Sequence, residues 1–331
     1  MVRFGILGFG LHAAKRLMPG FRRARNARVT ALSRRDGERA GASAREYGIA
    51  HAFTSAEELC RSPEVDAVFV ATPNNCHLRD VLVALEHGKP VLVEKPMAMN
   101  AAEARRMLET ARQKRLLLGV AQIFRFANSV RRLRELMAGG EIGRVVLTRC
   151  EFSYWGASAP RTWICDAAIA GGGPIADVGV HCIDALRFIL QDEVRAICAR
   201  GFADQQSGSV EAAAAVTLEF RQSGLAVVLV STRAQYRTPM ELVGQGGVIR
   251  VDDAFSVDKP VTIEVRHGEQ IVTEETSNQL AYAQQVDAFA AAVEDGAPFP
   301  APAEEGWRNQ VVLDAAYRSL KTGRTELVTE F

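Results

Sequence analysis

A chain of 331 residues is long for one domain and comfortable for two, each with interior enough for a hydrophobic core. Hydrophobic residues at 48% and charged residues at 24% exclude a disordered or fibrous protein. Forty basic against thirty-nine acidic side chains leave a net charge of +1. With no global field to draw nucleic acid or an anionic membrane, a small-molecule partner is expected.

Residues 1–120 alternate short apolar runs with amphipathic stretches, the pattern of βαβ units and a parallel sheet. The runs "VRFGIL", "RVTALS", "VDAVFVAT", "PVLVE" and "LLLGV" are predicted strands. "CHLRDVLVALEHG" and "AAEARRMLETARQ" are predicted helices, the first ended by Gly88. The basic runs Phe21–Arg28 and Arg112–Arg115 fall near helix ends, where arginines form a solvated face that complements the helix dipole.

Beyond Val120 the pattern changes to long alternating segments joined by turns: "GRVVLTRCEFSYW", "SVEAAAAVTLEFR", "GLAVVLVSTRAQY", "PMELVGQGGVIRVDD" and "VTIEVRHGEQIVTEE". These predict a large, mainly antiparallel open sheet. Helices are expected at "SVRRLRELMAGG", "IADVGVHCIDALRFIL", "AYAQQVDAFAAAVEDG" and "EEGWRNQVVLDAAYRSLKTG". The expectation is an α/β dinucleotide-binding Rossmann domain over 1–120 and an α+β substrate-binding and oligomerisation domain over 121–331.

Six cysteines, Cys60, Cys76, Cys150, Cys165, Cys182 and Cys198, form no CxxC pair and no tight cluster. That argues against a disulfide framework or a structural zinc site and favours a reduced, cytoplasmic protein. The chain opens directly on "VRFGILGFG", so no export leader is expected, and no apolar run approaches a membrane span.

"GFGLHA", comprising Gly8, Phe9, Gly10, Leu11, His12 and Ala13, follows the first strand and fits G-x-G-x-x-G/A. Gly8 permits the tight turn, Gly10 the approach of a pyrophosphate, and Ala13 close packing of helix on strand. About twenty residues on, where an acidic residue would grip the ribose of NAD, stand Ser33, Arg34, Arg35 and Arg39. Serine and arginines suit a 2′-phosphate, so NADP is favoured, with NAD possible. The competing reading is that Asp36 or a nearby loop accepts the ribose and the arginines are solvated. "ATPNNCH" puts Ala71, Thr72, Pro73, Asn74 and His77 at the C-terminal edge of the sheet, where such sheets bind ligands. "VLVEKPMA" ends a strand with Glu94 and Lys95, and Pro96 stiffens the turn that aims the lysine.

Together "GFGLHA", "ATPNNCH", "EKPMA", "EIGRV" and "AGGGPIADVGVHCIDALRFIL" resemble the Gfo/Idh/MocA family of nicotinamide-dependent sugar and cyclitol oxidoreductases, in the family's order and over nearly the whole chain. "ALSRRDGER", "KPVTIEV" and "YAQQVDAF" look closest to its NADP-dependent 1,5-anhydro-D-fructose reductase branch. The resemblance implies a Rossmann domain, an open-sheet domain and an active site between them. It implies Lys95, Asp177 and His181 as the catalytic residues. Those types suit hydride transfer at a carbonyl or hydroxyl carbon, which requires one proton to move on the substrate oxygen. His181 is assigned as general acid in reduction and base in oxidation, since imidazole titrates near neutral pH. Lys95 would hold the substrate oxygen, and Asp177, four residues before His181, would orient it or bind a substrate hydroxyl. Gln122, Arg125, Trp163 and Tyr282 are further positions of the resemblance: Gln122, Trp163 and Tyr282 toward the cofactor, Arg125 and Trp163 toward the substrate. The family often has arginine after that tryptophan; this chain has Ile164.

The three glycines Gly171–Gly173 are expected to let the chain approach cofactor and substrate and turn into the helix bearing Asp177 and His181. A homo-oligomer through the second sheet is expected. Two other readings stand beside this: a non-catalytic dinucleotide-sensing regulator on the same fold, and a dihydrodiol dehydrogenase-type substrate. A zinc site from Cys165, His181 and Cys182 is disfavoured, because adjacent His-Cys cannot easily aim both side chains at one metal.

Overall fold

The computed structural model describes residues 1–156 and 162–329. The chain divides into two compact units, Met1–Ile123 with Leu280–Trp307, and Phe124–Gln279 with Arg308–Phe331.

The first unit holds six parallel strands: β1 (Val2–Leu7), β2 (Ala27–Ser33), β3 (His51–Phe53), β4 (Ala67–Val70), β5 (Val91–Val93) and β6 (Leu118–Val120), in the order β3-β2-β1-β4-β5-β6. This is the doubly wound dinucleotide-binding order, with its switch point between β1 and β4. β4 and β5 are apolar and buried at every residue, as strands covered on both faces must be. Strand β3, not anticipated from sequence, is three residues long and lies at the sheet edge, too short for periodicity to reveal.

Sequence alone assigns everything after residue 120 to the second domain, yet Leu280–Trp307 packs with the first. The reason is apolar: helix Ala281–Asp295 buries Val286, Phe289 and Ala290, and the Phe289 ring lies tilted against Phe4 and edge-on to Phe299. Gly119 in β6 leaves room for that return, since a Cβ there would sit 2.5 Å from the Phe299 ring.

The second unit is built on a ten-stranded sheet: β7 (Val145–Trp155), β8 (Val194–Phe202), β9 (Ala213–Phe220), β10 (Leu225–Ser231), β11 (Arg233–Arg237), β12 (Met240–Gly244), β13 (Val248–Val251), β14 (Pro260–His267), β15 (Gln270–Ser277) and β16 (Glu326–Leu327). The order is β15-β14-β13-β12-β7-β10-β9-β8-β16, with β11 also on β7. Every pair is antiparallel except β7 with β10. Side chains alternate between exposed and buried along β9 and β10, so one face covers a core. Helix Val180–Leu190 belongs to that core, with Ile183, Leu186 and Ile189 fully buried. β8 and β16 were not among the predicted strands.

Candidate active site

In the first unit, the chain leaves β1 through Gly8 at φ +79°, the left-handed region that glycine tolerates. A Cβ at Gly8 would lie 2.8 Å from the backbone of Thr72, so the loops leaving β1 and β4 meet at the switch point. Gly10, by contrast, faces open space: its nearest neighbour would be a backbone oxygen at 3.8 Å. Ala13 is fully buried beneath the helical run 11–23, which contains a π turn at Ala13–Leu17. A tight turn, an open backbone at the second glycine and a helix start beyond it fit a dinucleotide diphosphate. Phe9 contributes otherwise. Its ring is buried 5.2 Å from that of Tyr47 and its N–H donates to Ser33 O, so the side chain belongs to the core.

At the end of β2, Ser33 is buried, while Arg35 and Arg39 are exposed. The Arg34 guanidinium donates to Ser43 Oγ at 2.8 Å, which fixes one arginine beside the strand end. Asp36 caps helix Gly37–Tyr47, its carboxylate accepting from Arg39 N–H at 3.0 Å. The acidic alternative for gripping a ribose thus already holds a helix N-terminus.

His77 is fully buried, its Nδ1 3.0 Å from Pro96 O and Nε2 3.0 Å from Thr72 O. Burial pushes its pKa down, against the two carbonyls, which favour the protonated ring. Counted from sequence among cofactor contacts, His77 instead braces the loops after β4 and β5 from behind. Ala71 N–H donates to Leu7 O, and Asn74 is buried at the start of a short 3₁₀ turn. Glu94 follows β5 and lies against the glycine loop, Oε1 2.8 Å from His12 Nε2. Its Oε2 accepts from the N–H of Lys95 at 3.2 Å. Burial raises the Glu94 pKa, but the charges of His12, Lys95 and His77 and the His12 hydrogen bond outweigh it and hold the carboxyl below its ordinary value. Tyr282 stands beside this group, its ring 6.3 Å from that of His12. A Cβ at Gly20 would lie 2.6 Å from the Tyr282 Cβ, so that glycine lets the two helices close together. Gln122 is buried just past β6.

In the second unit, the segment bearing Asp177 and His181 is a π turn over Ile175–Gly179 running into helix Val180–Leu190. The glycines before it do a job other than the expected one. Gly171, at φ +78°, ends the short helix Ala167–Ala170. A Cβ on Gly172 would fall 1.8 Å from Tyr317 Oη, and one on Gly173 2.2 Å from Glu211 O. They admit protein groups, not ligand. Glu211 accepts from the N–H groups of Gly173 and Ile175, both at 3.0 Å, and Tyr317 Oη accepts from Ala176 N–H at 3.1 Å. Tyr317 in turn donates to Glu211 at 3.0 Å, and burial with that carboxylate beside it pushes the phenol pKa well up. The helix start is thus closed by a carboxylate and a phenol.

Asp177 accepts a 2.5 Å hydrogen bond from Tyr154 of β7. His181 is buried in an aromatic box, its ring 4.9 Å from Phe124 and 6.1 Å from Phe152, with Phe255 touching both. Trp163 is half-buried on a 3₁₀ turn, and Ile164, which stands where arginine is common, is buried. Arg125, expected at the substrate, is committed elsewhere: it forms a buried pair with Asp184 at 2.8 Å and lies over the Phe188 ring. A guanidinium taken from such a carboxylate would leave an uncompensated buried charge. Cys182, one candidate for a zinc ligand, is fully buried, its thiol pushed well up by burial and by Cys150. Among the described residues no group of three His, Cys, Asp or Glu gathers to hold a metal, and no helix is long and apolar enough to cross a membrane.

Tyr154, Glu211 and Tyr317 were missed from sequence. Tyr154 could have been found: it sits on an alternating strand two residues after Phe152, which puts it on the same face. Glu211 and Tyr317 reach the helix from 36 and 141 residues away, and no local pattern marks them.

Two family models match the chain: an oxidoreductase family with an NAD-binding Rossmann fold over residues 2–122, and the GFO/IDH/MocA C-terminal domain over residues 130–250. An uncharacterised oxidoreductase of Rhizobium meliloti is 30% identical over 99% of both chains. The 1,5-anhydro-D-fructose reductase of Ensifer adhaerens is 38% identical over 58% of each. The crystal structure of an aldose-aldose oxidoreductase from Caulobacter crescentus superposes with a TM-score of 0.91 at 24% identity, covering 98% of this chain and 99% of that one. With both halves of the family matched in order and a full-length relative beside them, the chain belongs to the GFO/IDH/MocA oxidoreductases and is a nicotinamide-dinucleotide-dependent oxidoreductase.

Proposed function

We propose that this enzyme moves a hydride between NADP(H) and a carbonyl or hydroxyl carbon of a sugar, cyclitol or related polyol. The observation that carries the reading is the tie between Lys95 and the glycine loop: Lys95 leaves β5 on the same sheet edge as Gly8–Ala13, and Glu94 bonds both Lys95 N–H and His12. A lysine whose backbone is held there suits a chemistry that needs a cation beside the cofactor. Bound NADP(H) supplies or accepts the hydride.

The protein's own work is with the proton and the oxygen. Lys95 holds the substrate oxygen and stabilises charge that develops there. His181 gives or takes the proton on that oxygen, and its box of Phe124, Phe152 and Phe255 keeps bulk water from competing. Asp177, held by Tyr154, accepts from a substrate hydroxyl or orients His181. Arg34, fixed on Ser43, with Arg35 and Arg39 beside it, favours a 2′-phosphate and so NADP, with NAD as the weaker cofactor. The names of the sugar-acting relatives support the substrate class.

Two further readings accompany the chemistry. The exposed sheet face carries Leu147, Trp155, Phe202, Val227 and Leu229 and a cavity of ≈ 450 Å³ lined in part by Arg200, Ala213 and Ala215, which suits self-association. Free thiols at all six cysteines suit the reducing cytoplasm.

The test is a panel of aldoses, keto sugars, 1,5-anhydro-D-fructose and inositols, offered with NADPH, NADH and their oxidised forms while the nicotinamide absorbance is followed. Turnover of a sugar or cyclitol with NADP(H) preferred supports the reading. Tight NADPH binding with no turnover across the panel contradicts it and favours a dinucleotide sensor.

A further inference from the structure

The contact between His12 and Glu94 ties dinucleotide binding to a proton. Glu94 Oε1 lies 2.8 Å from His12 Nε2. A carboxylate can only accept, so it fixes the proton of a neutral His12 ring on Nε2 and leaves the lone pair on Nδ1, across the ring. His12 stands two residues past Gly10, at the entry to the helical run that the diphosphate would face. A neutral ring offers an anion no donor from Nδ1; a protonated ring offers a donor and a positive charge.

We propose that binding of a dinucleotide at the glycine loop takes up a proton on His12 Nδ1, with Glu94 as the positioning residue that fixes the ring and balances its charge. This rests on the reading that Gly8–Ala13 holds the diphosphate. On release the proton returns to solvent, so the exchange balances without another reactant.

The surroundings favour this use of the pair. Beside His12 stand Glu94, from the turn after β5, and Tyr282, from helix Ala281–Asp295, while Lys95 and His77 lie within charge range of Glu94. Glu94 is the anion among them, since a carboxyl is ionised at neutral pH. In this proposal the diphosphate comes to the Nδ1 side of His12, where its negative charge favours the protonated ring. The side chain of Glu94 is only 13% exposed, so the balance is weakly screened. Because its second oxygen holds Lys95 N–H, the loop and the Lys95 turn share one anion.

The test is calorimetry of the full chain with NADH and with NADPH, in buffers of different ionisation enthalpy, at about pH 7.5–8, above the usual imidazole pKa. NADPH carries a 2′-phosphate whose own second pKa is about 6, whereas NADH has none, so uptake seen with NADH reports the protein. We expect net proton uptake with both, Kd weakening by up to about tenfold per pH unit as pH rises, and loss of this uptake in His12→Gln. Glu94→Gln should bind with reduced uptake. Binding of NADH by the wild-type chain without uptake, or unchanged uptake in His12→Gln, overturns this proposal alone. Failure of either dinucleotide to bind overturns the reading of the glycine loop as well.

Discussion

The phenol of Tyr154 donates a 2.5 Å hydrogen bond to the Asp177 carboxylate, joining strand β7 to the π turn that leads into the His181 helix. One carboxylate oxygen is thereby fixed, and the other is oriented with it. Tyr154→Phe should cost about 1.5–3 kcal/mol in denaturant unfolding, the range for hydrogen bonds to charged groups. It should also lower kcat by about tenfold or more with a smaller change in KM, because a carboxylate that wanders is a poorer partner in the transition state. Steady-state kinetics beside the unfolding curve separate the two effects.

Gly172 faces Tyr317 Oη across a space with no room for a methyl group. Gly172→Ala should therefore destabilise the second unit by at least the 1–3 kcal/mol typical of overpacking, with Tm falling accordingly. Glu211→Gln keeps the outline but turns one of the two oxygens that accept from the Gly173 and Ile175 N–H groups into a donor, and should cost about 1–3 kcal/mol.

His77 predicts an acid sensitivity with a definite sign. Its pKa in the folded chain is depressed below the ordinary 6.5, chiefly by burial, so the unfolded chain binds the proton more readily. The stability it contributes is full above about 6.5 and is lost as pH falls toward the depressed folded value. Thermal melts between neutral and mildly acid pH should show this loss in the wild type and a weaker one in His77→Asn. Removing the ring outright, His77→Ala, strands whichever of the Thr72 and Pro96 carbonyls the neutral ring's one N–H serves, at about 1–3 kcal/mol.

Arg34 is fixed on Ser43 beside the end of β2. Arg34→Asp should raise the Kd for NADPH far more than that for NADH, by tenfold or more if about 1.4 kcal/mol of the 2′-phosphate interaction is lost. Fluorescence titration with both cofactors checks it. An unchanged ratio means the 2′-phosphate is held elsewhere.

Much of this arrangement was legible because it is local. The glycine loop, the strand ends at Ser33 and Glu94 and the helix bearing His181 each follow from a short run of residues whose spacing has a physical reason. What stayed hidden depends on distance. Arg125 is a lone arginine in sequence and a buried ion pair in the fold, because Asp184 is 59 residues away. The three glycines of 171–173 look like a ligand cradle until Tyr317 and Glu211 are seen to fill the space. Leu280–Trp307 returns to the first unit because Phe289 finds Phe4 and Phe299, a match of shape that periodicity does not encode.

The central claim is that Lys95 and His181 act on the substrate oxygen while a bound dinucleotide exchanges the hydride. It is tested most directly by comparing wild type, Lys95→Met and His181→Ala on the best substrate of the panel, with NADPH binding measured in parallel. The account predicts that both variants bind NADPH within a few-fold of wild type while kcat falls by about 10²–10⁴. Near-normal turnover in either variant would contradict it.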